Sequence, residues 1–499
     1  MNYMLDGTRA LPYTATASGG VAMSNPTHDE TRALEAREAV KALLAPHQAV
    51  PDELLSRLRL HGSAQEFDSP HKLVLASASA VGAFALGVEQ YWRLAGGPGQ
   101  SIGIDWMQAA SGLNPGHFQT QSGYALPALS LLTELKADFY ETADGRWFFP
   151  IGSYPHLRDG VLELLDCANT QTALAAGIGR WRADDLEQAF AERKLPGVYA
   201  RSQQEWLAHP QGSLLAQVPP ISLEKIGDSA PEPPRLLERP LQALRVLDMG
   251  HVIAGPVVAR TLAEHGADVL RIGAPTNQDP FRQTVDTNIG KRSAFLDLDV
   301  PLDHAKVREL MTGADVIVQS WRPGSLERRG LGAADAAALR PGVIYVSVSA
   351  FGDEGAWRER GGFEQLGQAV SGVTVREAVG GRPRVVPTYL LNDYLSGYLG
   401  AAGVMQALMR RATEGGSYHV RVSLARTSMW VQDLGLLPFD AGRGERRHFA
   451  DGLRPVLQTR ESAYGPLRQL PPIAQFSHTP ARWDLPPAPN GAHAPAWRC

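Results

Sequence analysis

The sequence predicts an α/β fold built on a Rossmann-like, mainly parallel sheet with flanking helices. Short apolar strands alternate with amphipathic helices through the second half of the chain, the pattern of a parallel sheet with right-handed crossovers. A proline-rich, charged linker precedes that half. Hydrophobic content of 44% with 20% charged residues is typical of globular domains.

Length, charge and cysteine usage restrict the class of protein. A chain of 499 residues has room for two to four domains. Its net charge is -4, from 48 basic and 52 acidic residues, so no overall field favours nucleic acid or an anionic membrane. Two cysteines, Cys167 and Cys499, exclude a disulfide scaffold and a thiolate metal site and favour a reducing compartment. We therefore expect a cytoplasmic protein without a metal site.

No targeting or membrane segment is expected. Residues Met1 to Pro26 lack a basic region followed by an apolar one, and no apolar stretch is predicted to reach spanning length. Residues 1–29 are small and polar and are predicted to form a disordered arm. The linker from Gly227 to Pro240 then divides the chain into regions 30–235 and 236–499. A helix is predicted from Glu30 to Ala45 in the first region.

The second region supplies the elements of the predicted sheet. Its strands are "LRVLDMG", "ADVLRIG", "KRSAFLDLD", "ADVIVQSW" and "GVIYVSVSAF". Its helices are "VVARTLAEHG", "HAKVRELMTG" and one near "SLERRG". Ligands bind such sheets at the carboxyl ends of the strands. That rim comprises His251–Pro256, Ala274–Gln278, Ser320–Gly324 and Phe351–Gly355.

Asp393 is the candidate nucleophile. It precedes a long, apolar helical segment that contains no further acidic residue until Glu414. A buried carboxylate at the start of a helix can attack a thioester or anhydride, because exclusion of water raises its reactivity. The alternative is that Asp393 is an N-cap that accepts hydrogen bonds from first-turn amides.

The Asp393 helix contains three glycines and has a partial counterpart earlier in the chain. Each glycine costs about 1 kcal/mol relative to alanine, so close approach of a neighbouring backbone or a ligand is expected there. The stretch Val74 to Asp105 is similar, but no acidic residue occurs between Leu73 and Val88. Either the first copy has lost its carboxylate, or two small-residue helices are similar by chance.

The chain resembles the family III CoA-transferases, the group of the formyl-CoA and carnitine CoA-transferases. The resemblance rests on "LRVLDMGHVIAGPVVARTLAEHGADVLRI", "NIGKRSAFLDLD", "ADVIVQSWRPGSLERRGLG", "VIYVSVSAFGDEGAW", "EQLGQAVSGV" and "LLNDYLSGYLGAAGVMQALMRR", in family order. It implies that region 30–235 is a degenerate copy that includes the family's smaller α+β domain. It also implies a homodimer, or a fused pseudo-dimer within one chain.

The resemblance implies that Asp393 forms an aspartyl anhydride and then an aspartyl-CoA thioester. The substrates are then an acyl-CoA and a small carboxylic acid; coenzyme A is a substrate, and no permanently bound cofactor is expected. By position in the family, the CoA-binding residues are Val252, Ile253 and Ala254 along the nucleotide, Lys291 and Arg292 near phosphate, Trp321 facing the adenine, and Arg328 near the phosphorylated ribose. For the cations the alternative is a solvated basic face, and for Trp321 ordinary packing.

Departures from the family pattern leave other functions open. Gly273 stands where the family has glutamate, and Ser320–Trp321 where it has Asn-Phe or Asn-Tyr. No glycine-rich flap that would cover Asp393 is evident. A 2-methylacyl-CoA racemase is one alternative, although its histidine is missing from "GGFEQLGQAVSG". The other is a non-catalytic CoA-binding protein.

Overall fold

The computed structural model describes residues 28–64, 66–126, 135–276, 278–438 and 450–498. The helices of the first half are α1 His28–Leu44, α2 Asp52–Leu55, α3 Leu73–Leu94, α4 Trp106–Ser111, α5 Pro155–Leu165, α6 Gln171–Ile178, α7 Ala183–Glu192, α8 Gln203–Ala208 and α9 Pro210–Ala216. Those of the second half are α10 Ala254–Ala263, α11 Phe281–Thr287, α12 Pro301–Thr312, α13 Ala333–Leu339, α14 Glu364–Ser371, α15 Val373–Arg376, α16 Asn392–Glu414 and α17 Leu424–Asp433.

The strands are also divided between the first and second halves of the chain. Those of the first half are β1 Leu58–His61, β2 Ile102–Asp105, β3 Thr120–Gln121, β4 Tyr124–Ala125, β5 Tyr140–Glu141, β6 Trp147–Pro150, β7 Gly197–Tyr199 and β8 Ser222–Gly227. Those of the second half are β9 Arg245–Asp248, β10 Asp268–Gly273, β11 Lys291–Phe295, β12 Val316–Gln319, β13 Ile344–Ser349, β14 Ser417–Ser423, β15 Gln458–Arg460, β16 Leu467–Gln469 and β17 Ala474–Phe476.

A seven-stranded sheet confirms the predicted Rossmann-like fold. Its order is β11-β10-β9-β12-β13-β14-β8, and neighbouring strands from β11 to β14 are parallel. All five predicted strands belong to it. After β9 the chain first extends the sheet on one side, with β10 and β11, and then on the other side, starting with β12. Where the strand order reverses in this way, a crevice forms beyond the carboxyl ends of the strands. The fold therefore places a binding crevice beside the segments that follow β9 and β12.

Helix α16 packs against the sheet through its glycines. A Cβ at Gly397 would lie 2.4 Å from Val257 Cγ1 of α10, and one at Gly403 would lie 2.4 Å from Val420 Cγ1 of β14. Both distances are too short for a side chain. The close approach predicted for this helix is confirmed, and its partners are neighbouring protein elements.

The two halves of the chain are interwoven. Strand β8 of the first half pairs antiparallel with β14, so it closes one edge of the main sheet. Strands β16 and β17 from the end of the chain pair with β3 and β2 of the first half. Strand pairing therefore crosses the predicted boundary between residues 235 and 236.

Helix α3, the counterpart of α16, is a core helix. It is long and apolar enough to span a membrane, which corrects the expectation that no stretch reaches that length, but 94% of its apolar window is buried in the protein. A Cβ at Gly87 would lie 2.5 Å from Met405 Cβ, so α3 packs directly on α16. The first half of the chain thus covers the helix that carries Asp393.

A smaller α+β domain lies between β4 and β8, as the resemblance implied. Helices α5 to α9 pack around the sheet β5-β6-β7. The loop after β13 anchors this domain, because Phe351 and Trp357 are buried in one hydrophobic cluster with Trp206. The Trp206 and Trp357 rings lie 5.6 Å apart. The smaller domain is thereby held against the crevice side of the main sheet.

One helix prediction differs from the structure. "SLERRG" forms only a three-residue 3-10 helix, Glu327–Arg329, because Gly330 adopts a left-handed φ of 66° and ends it. The predicted apolar helix that carries Asp393 is α16, which ends at Gly415, whose φ is 68°. Residues 1–27 of the predicted disordered arm lie outside the described part of the chain.

Candidate active site

Asp393 lies in the first turn of α16 and is only 6% exposed. Its main-chain N–H donates to Oε2 of Glu364, from α14, at 2.6 Å. The cap position of α16 is Leu391, so the alternative that Asp393 is the N-cap is wrong. The Glu364 carboxylate accepts from the orphan first-turn donors instead, which leaves the Asp393 side chain available for another role.

Further hydrogen bonds fix Glu364 and the start of α16. Gln368 Nε2 donates to Glu364 Oε1 at 2.6 Å, and Asn392 Nδ2 donates to the main-chain carbonyl of Glu364 at 3.1 Å. Ser428 Oγ, from α17, donates to Asn392 Oδ1 at 2.7 Å. Helices α14, α16 and α17 therefore meet in one polar network beneath Asp393.

Two buried carboxyl groups determine the electrostatics. Burial, reinforced by the negative charge of Glu364, raises the pKa of Asp393 well above its usual value. Burial also raises the pKa of Glu364, but N–H donors from Gln368 and the first turn of α16 oppose that shift. Because those donors stabilise charge on Glu364, Asp393 is the carboxyl group of the pair that keeps its proton to higher pH. Once ionised, it is a poorly solvated and therefore reactive carboxylate.

A cavity of about 370 Å³ lies at the carboxyl ends of β9, β10, β11 and β12. This is the position where the strand order predicts a crevice. Its wall consists of Met249, Gly250, His251, Arg271, Ile272, Gly273, Ala274, Thr276, Leu296, Asp297, Leu298, Asp299, Trp321, Ser325, Leu326 and Arg329. Apolar surface, an aromatic ring and two arginines thus line one concave site.

Trp321 belongs to this wall. Its ring centroid lies 4.4 Å from that of His251, and its Nε1 donates to the Met249 carbonyl at 2.8 Å. Ser320 ties the same loops together, since its Oγ accepts from the His251 N–H at 2.9 Å and donates to the His251 carbonyl at 3.0 Å. The departure at Ser320 therefore has a structural role in joining the segments after β9 and β12.

The predicted segment Val252 to Ala254 connects β9 to α10 beside this cavity. Val252 has a φ of 64°, a strained value for a β-branched residue. Such strain is typical of ligand-binding loops. A Cβ at Gly397 would lie 3.2 Å from the Ala254 carbonyl, so this segment touches the helix of Asp393. Val252, Ile253 and Ala254 do not line the cavity; from this loop only the three preceding residues, Met249 to His251, belong to its wall.

Lys291 and Arg292 do not line the cavity. Lys291 is fully buried and donates to Asp248 Oδ2 at 2.6 Å and to the Pro256 carbonyl at 2.7 Å. Burial lowers its pKa to about 8. Arg292 pairs with Asp268 at 2.9 Å, near the amino end of β10, whereas the cavity lies at the opposite end of the strands. Both cations form structural ion pairs away from the cavity wall, so their position does not bring them to a phosphate bound there.

Arg328 also lies outside the cavity wall. Its side chain is 64% exposed, 3.8 Å from Glu359. The neighbouring Arg329 lines the cavity, as does Arg271, which follows the middle of β10. Sequence reasoning missed both arginines and Glu364. The position of Arg271 near the carboxyl end of a predicted strand was the available signal, and Glu364 stood in the quoted stretch "EQLGQAVSGV".

Comparison with known proteins shows similarity to CoA-transferases. The family described as CoA-transferase family III matches residues 241–464. An acyl-CoA transferase of Gibberella moniliformis is 30% identical over 415 residues, which are 71% of this chain and 72% of that protein. The acetyl-coenzyme A transferase nodX of Hypoxylon pulicicidum is 29% identical over 425 residues, 74% and 72% of the two chains.

This chain is similar to part of one solved structure. The hypothetical protein Rv3272 of Mycobacterium tuberculosis has a TM-score of 0.37 and 30% sequence identity to this chain. The match covers 39% of this chain and 57% of that one.

Proposed function

The chain belongs to CoA-transferase family III, and we propose that it moves CoA from an acyl-CoA donor to a carboxylic acid through covalent intermediates on Asp393. The observation that supports this most is the position of Asp393. Its buried carboxyl group lies at the amino end of α16, beside Glu364, on the helix that touches the loop between β9 and α10. A single carboxylate there is suited to nucleophilic catalysis.

The donor half of the proposed reaction has two steps. An ionised oxygen of Asp393 attacks the thioester carbonyl carbon, the C–S bond breaks, and CoA thiolate leaves a mixed anhydride. The thiolate then attacks the aspartyl carbonyl carbon, and the donor acid leaves as a carboxylate. The product is an aspartyl-CoA thioester, so no proton and no redox equivalent is consumed.

The acceptor half runs these steps in reverse. The incoming carboxylate attacks the aspartyl-CoA carbonyl carbon and expels thiolate, which forms a second mixed anhydride. The thiolate attacks the acceptor's acyl carbon, and Asp393 is released as a carboxylate. Each step exchanges one activated acyl group for another of similar energy, so the enzyme avoids a single difficult exchange.

The surroundings of Asp393 support this chemistry. Burial keeps water, the competing nucleophile, away from the anhydride and from the thioester. The N–H donors around Glu364 hold the first turn of α16 in place while the Asp393 side chain reacts. Backbone N–H groups would have to stabilise the tetrahedral oxyanions.

The cavity at the strand ends fits the nucleotide part of CoA. Trp321 offers a flat face for adenine. Arg271 and Arg329 also line the cavity; Arg271 pairs with Asp279 and Arg329 with Asp299, and the remaining N–H groups of each guanidinium would meet phosphate. We assign these two arginines the phosphate role that the resemblance gave to Lys291 and Arg292. The strained segment from Val252 to Ala254 would then guide the pantetheine arm from the cavity towards Asp393.

The proposal also includes the oligomeric state of the protein and its location in the cell. The packing of α3 on α16 supports an intrachain pseudo-dimer, in which the first half substitutes for the second subunit of a homodimer. The two cysteines support a reducing compartment such as the cytoplasm. Light scattering on the purified chain would separate a monomer from a homodimer.

Covalent trapping tests the proposed function. The protein is incubated with an acyl-CoA and hydroxylamine, and mass spectrometry locates any hydroxamate. We expect modification at Asp393, none in Asp393→Ala, and wild-type behaviour in Asp185→Ala, an exposed acid of α7. CoA binding without modification would instead indicate a non-catalytic binding protein. Solvent deuterium appearing at the substrate α-carbon would indicate a racemase.

A further inference from the structure

The smaller domain brings one tyrosine to the rim of the main sheet. Tyr154 lies at the cap position before α5, and its hydroxyl donates to Asp279 Oδ1 at 2.7 Å. Asp279 lies between β10 and α11, so this hydrogen bond connects the first half of the chain to the main sheet's rim. Burial raises the pKa of Tyr154 above its ordinary value, and it therefore stays a neutral donor.

Asp279 also binds an arginine of the cavity wall. Its second oxygen, Oδ2, accepts from Arg271 Nη2 at 3.0 Å, and both side chains are only 4% exposed. Arg271 lines the cavity and is held on its other side by Asn490 at 2.9 Å. A buried carboxylate that loses one of two charged or polar donors must move or leave an oxygen unpaired. Arg271 and Tyr154 therefore share one buried carboxylate.

The same carboxylate faces an unpaired histidine. His251 Nδ1 is buried without a hydrogen-bond partner and lies 3.9 Å from Asp279 Oδ1. Burial lowers the pKa of His251, so the ring is neutral and retains a free polar nitrogen in the cavity wall.

Tyr154 also lies near the segment that precedes Glu364. Its ring centroid is 6.4 Å from that of Phe363, the residue before Glu364, and the charge of Asp393 contributes to its raised pKa. The contacts of Tyr154 thus connect Asp279, at the rim of the main sheet, with the segment that leads into α14.

We infer that Tyr154 is a positioning residue for thioester binding, which acts through Asp279 on Arg271. This inference rests on the proposed transferase function and deepens it. The first half of the chain then does more than cover α16, because it supplies the donor that orients a cation in the substrate cavity.

Steady-state kinetics of Tyr154→Phe test the inference. The variant keeps the ring and loses only the hydroxyl. We expect KM for the acyl-CoA to rise about tenfold, the change expected when one hydrogen bond to a charged group is lost, with kcat within about twofold. Tyr199→Phe, in β7 of the same domain, should keep both constants. An unchanged KM in Tyr154→Phe would overturn the inference.

A double-mutant cycle then tests the route through Asp279. If Tyr154 acts through this carboxylate, Tyr154→Phe adds nothing to KM once Asp279→Ala is present. Multiplying effects would overturn that route. Hydroxylamine trapping of wild-type Asp393 separates the two hypotheses: absent trapping rejects the proposed function, whereas normal trapping with an unaffected Tyr154→Phe rejects only the role of Tyr154. Circular dichroism verifies that each variant is folded.

Discussion

The main-chain N–H of Asp393 donates a 2.6 Å hydrogen bond to the Glu364 carboxylate, so one acidic residue caps the helix on which the other acts. This arrangement separates two functions that one side chain would otherwise combine. Glu364 satisfies the orphan amides of α16, and Asp393 keeps its carboxyl group free for chemistry. The like charge of Glu364 also controls when Asp393 ionises.

Glu364→Gln should change the pH dependence of transfer. The nucleophile must be ionised, so kcat rises with pH through the raised pKa of Asp393. Removing the negative neighbour lowers that pKa, although burial still holds it above the usual value. We expect the acid limb of the kcat profile to move to lower pH. A limb that stays in place would show that the Glu364 charge does not act on Asp393.

Asp393→Asn should stabilise the fold at neutral pH. Because the folded pKa of Asp393 is raised above its unfolded value, the folded state binds its proton more tightly. That contribution is complete below the unfolded pKa and is lost as pH rises through the folded pKa. The neutral amide avoids this loss, so the variant should gain about 1 kcal/mol or more in unfolding free energy at pH 8, and little at pH 4. Denaturant titrations at both values measure the difference; an equal gain at both would contradict it.

Trp321→Ala should weaken CoA binding by roughly tenfold or more. Stacking of a base on an aromatic ring contributes about 1–3 kcal/mol. Arg328→Ala is the matched control from the same loop region, because this arginine is 64% exposed and outside the cavity wall. Calorimetric titration with CoA should give a control value within about twofold of wild type. Equal affinities for the Trp321 variant and wild type would remove the ring from the site.

Lys291→Met should destabilise the protein without a specific effect on CoA affinity. It leaves Asp248 buried and unpaired, a change that costs about 3–5 kcal/mol. Adding Asp248→Asn should recover part of that loss. Lys306→Met, which breaks an exposed pair with Glu309, should change stability by less than about 1 kcal/mol. A stable Lys291 variant with weakened CoA binding would restore the phosphate role predicted from the resemblance.

The predicted strands were found because each is a short apolar run bounded by turn residues, a local signal that does not depend on distant contacts. Helix ends were less accurate, as at "SLERRG", where Gly330 stops the helix after three residues. Which side chains line the cavity was harder to predict than where the helices end. Lys291 and Arg271 are both cations on strands, but only their place along the strand, and the partner each meets, decides which one reaches the cavity.

The sequence by itself determined the α/β fold, the family and the choice of Asp393 as candidate nucleophile, because periodicity and ordered motifs are written along the chain. The tertiary structure was needed to show that Glu364 caps α16, that Arg271 and Arg329 line the cavity, and that the Tyr154 hydroxyl donates to Asp279. The physical reason is that burial, ion pairing and hydrogen bonding join residues tens to hundreds of positions apart, and these contacts exist only after the two halves have packed together.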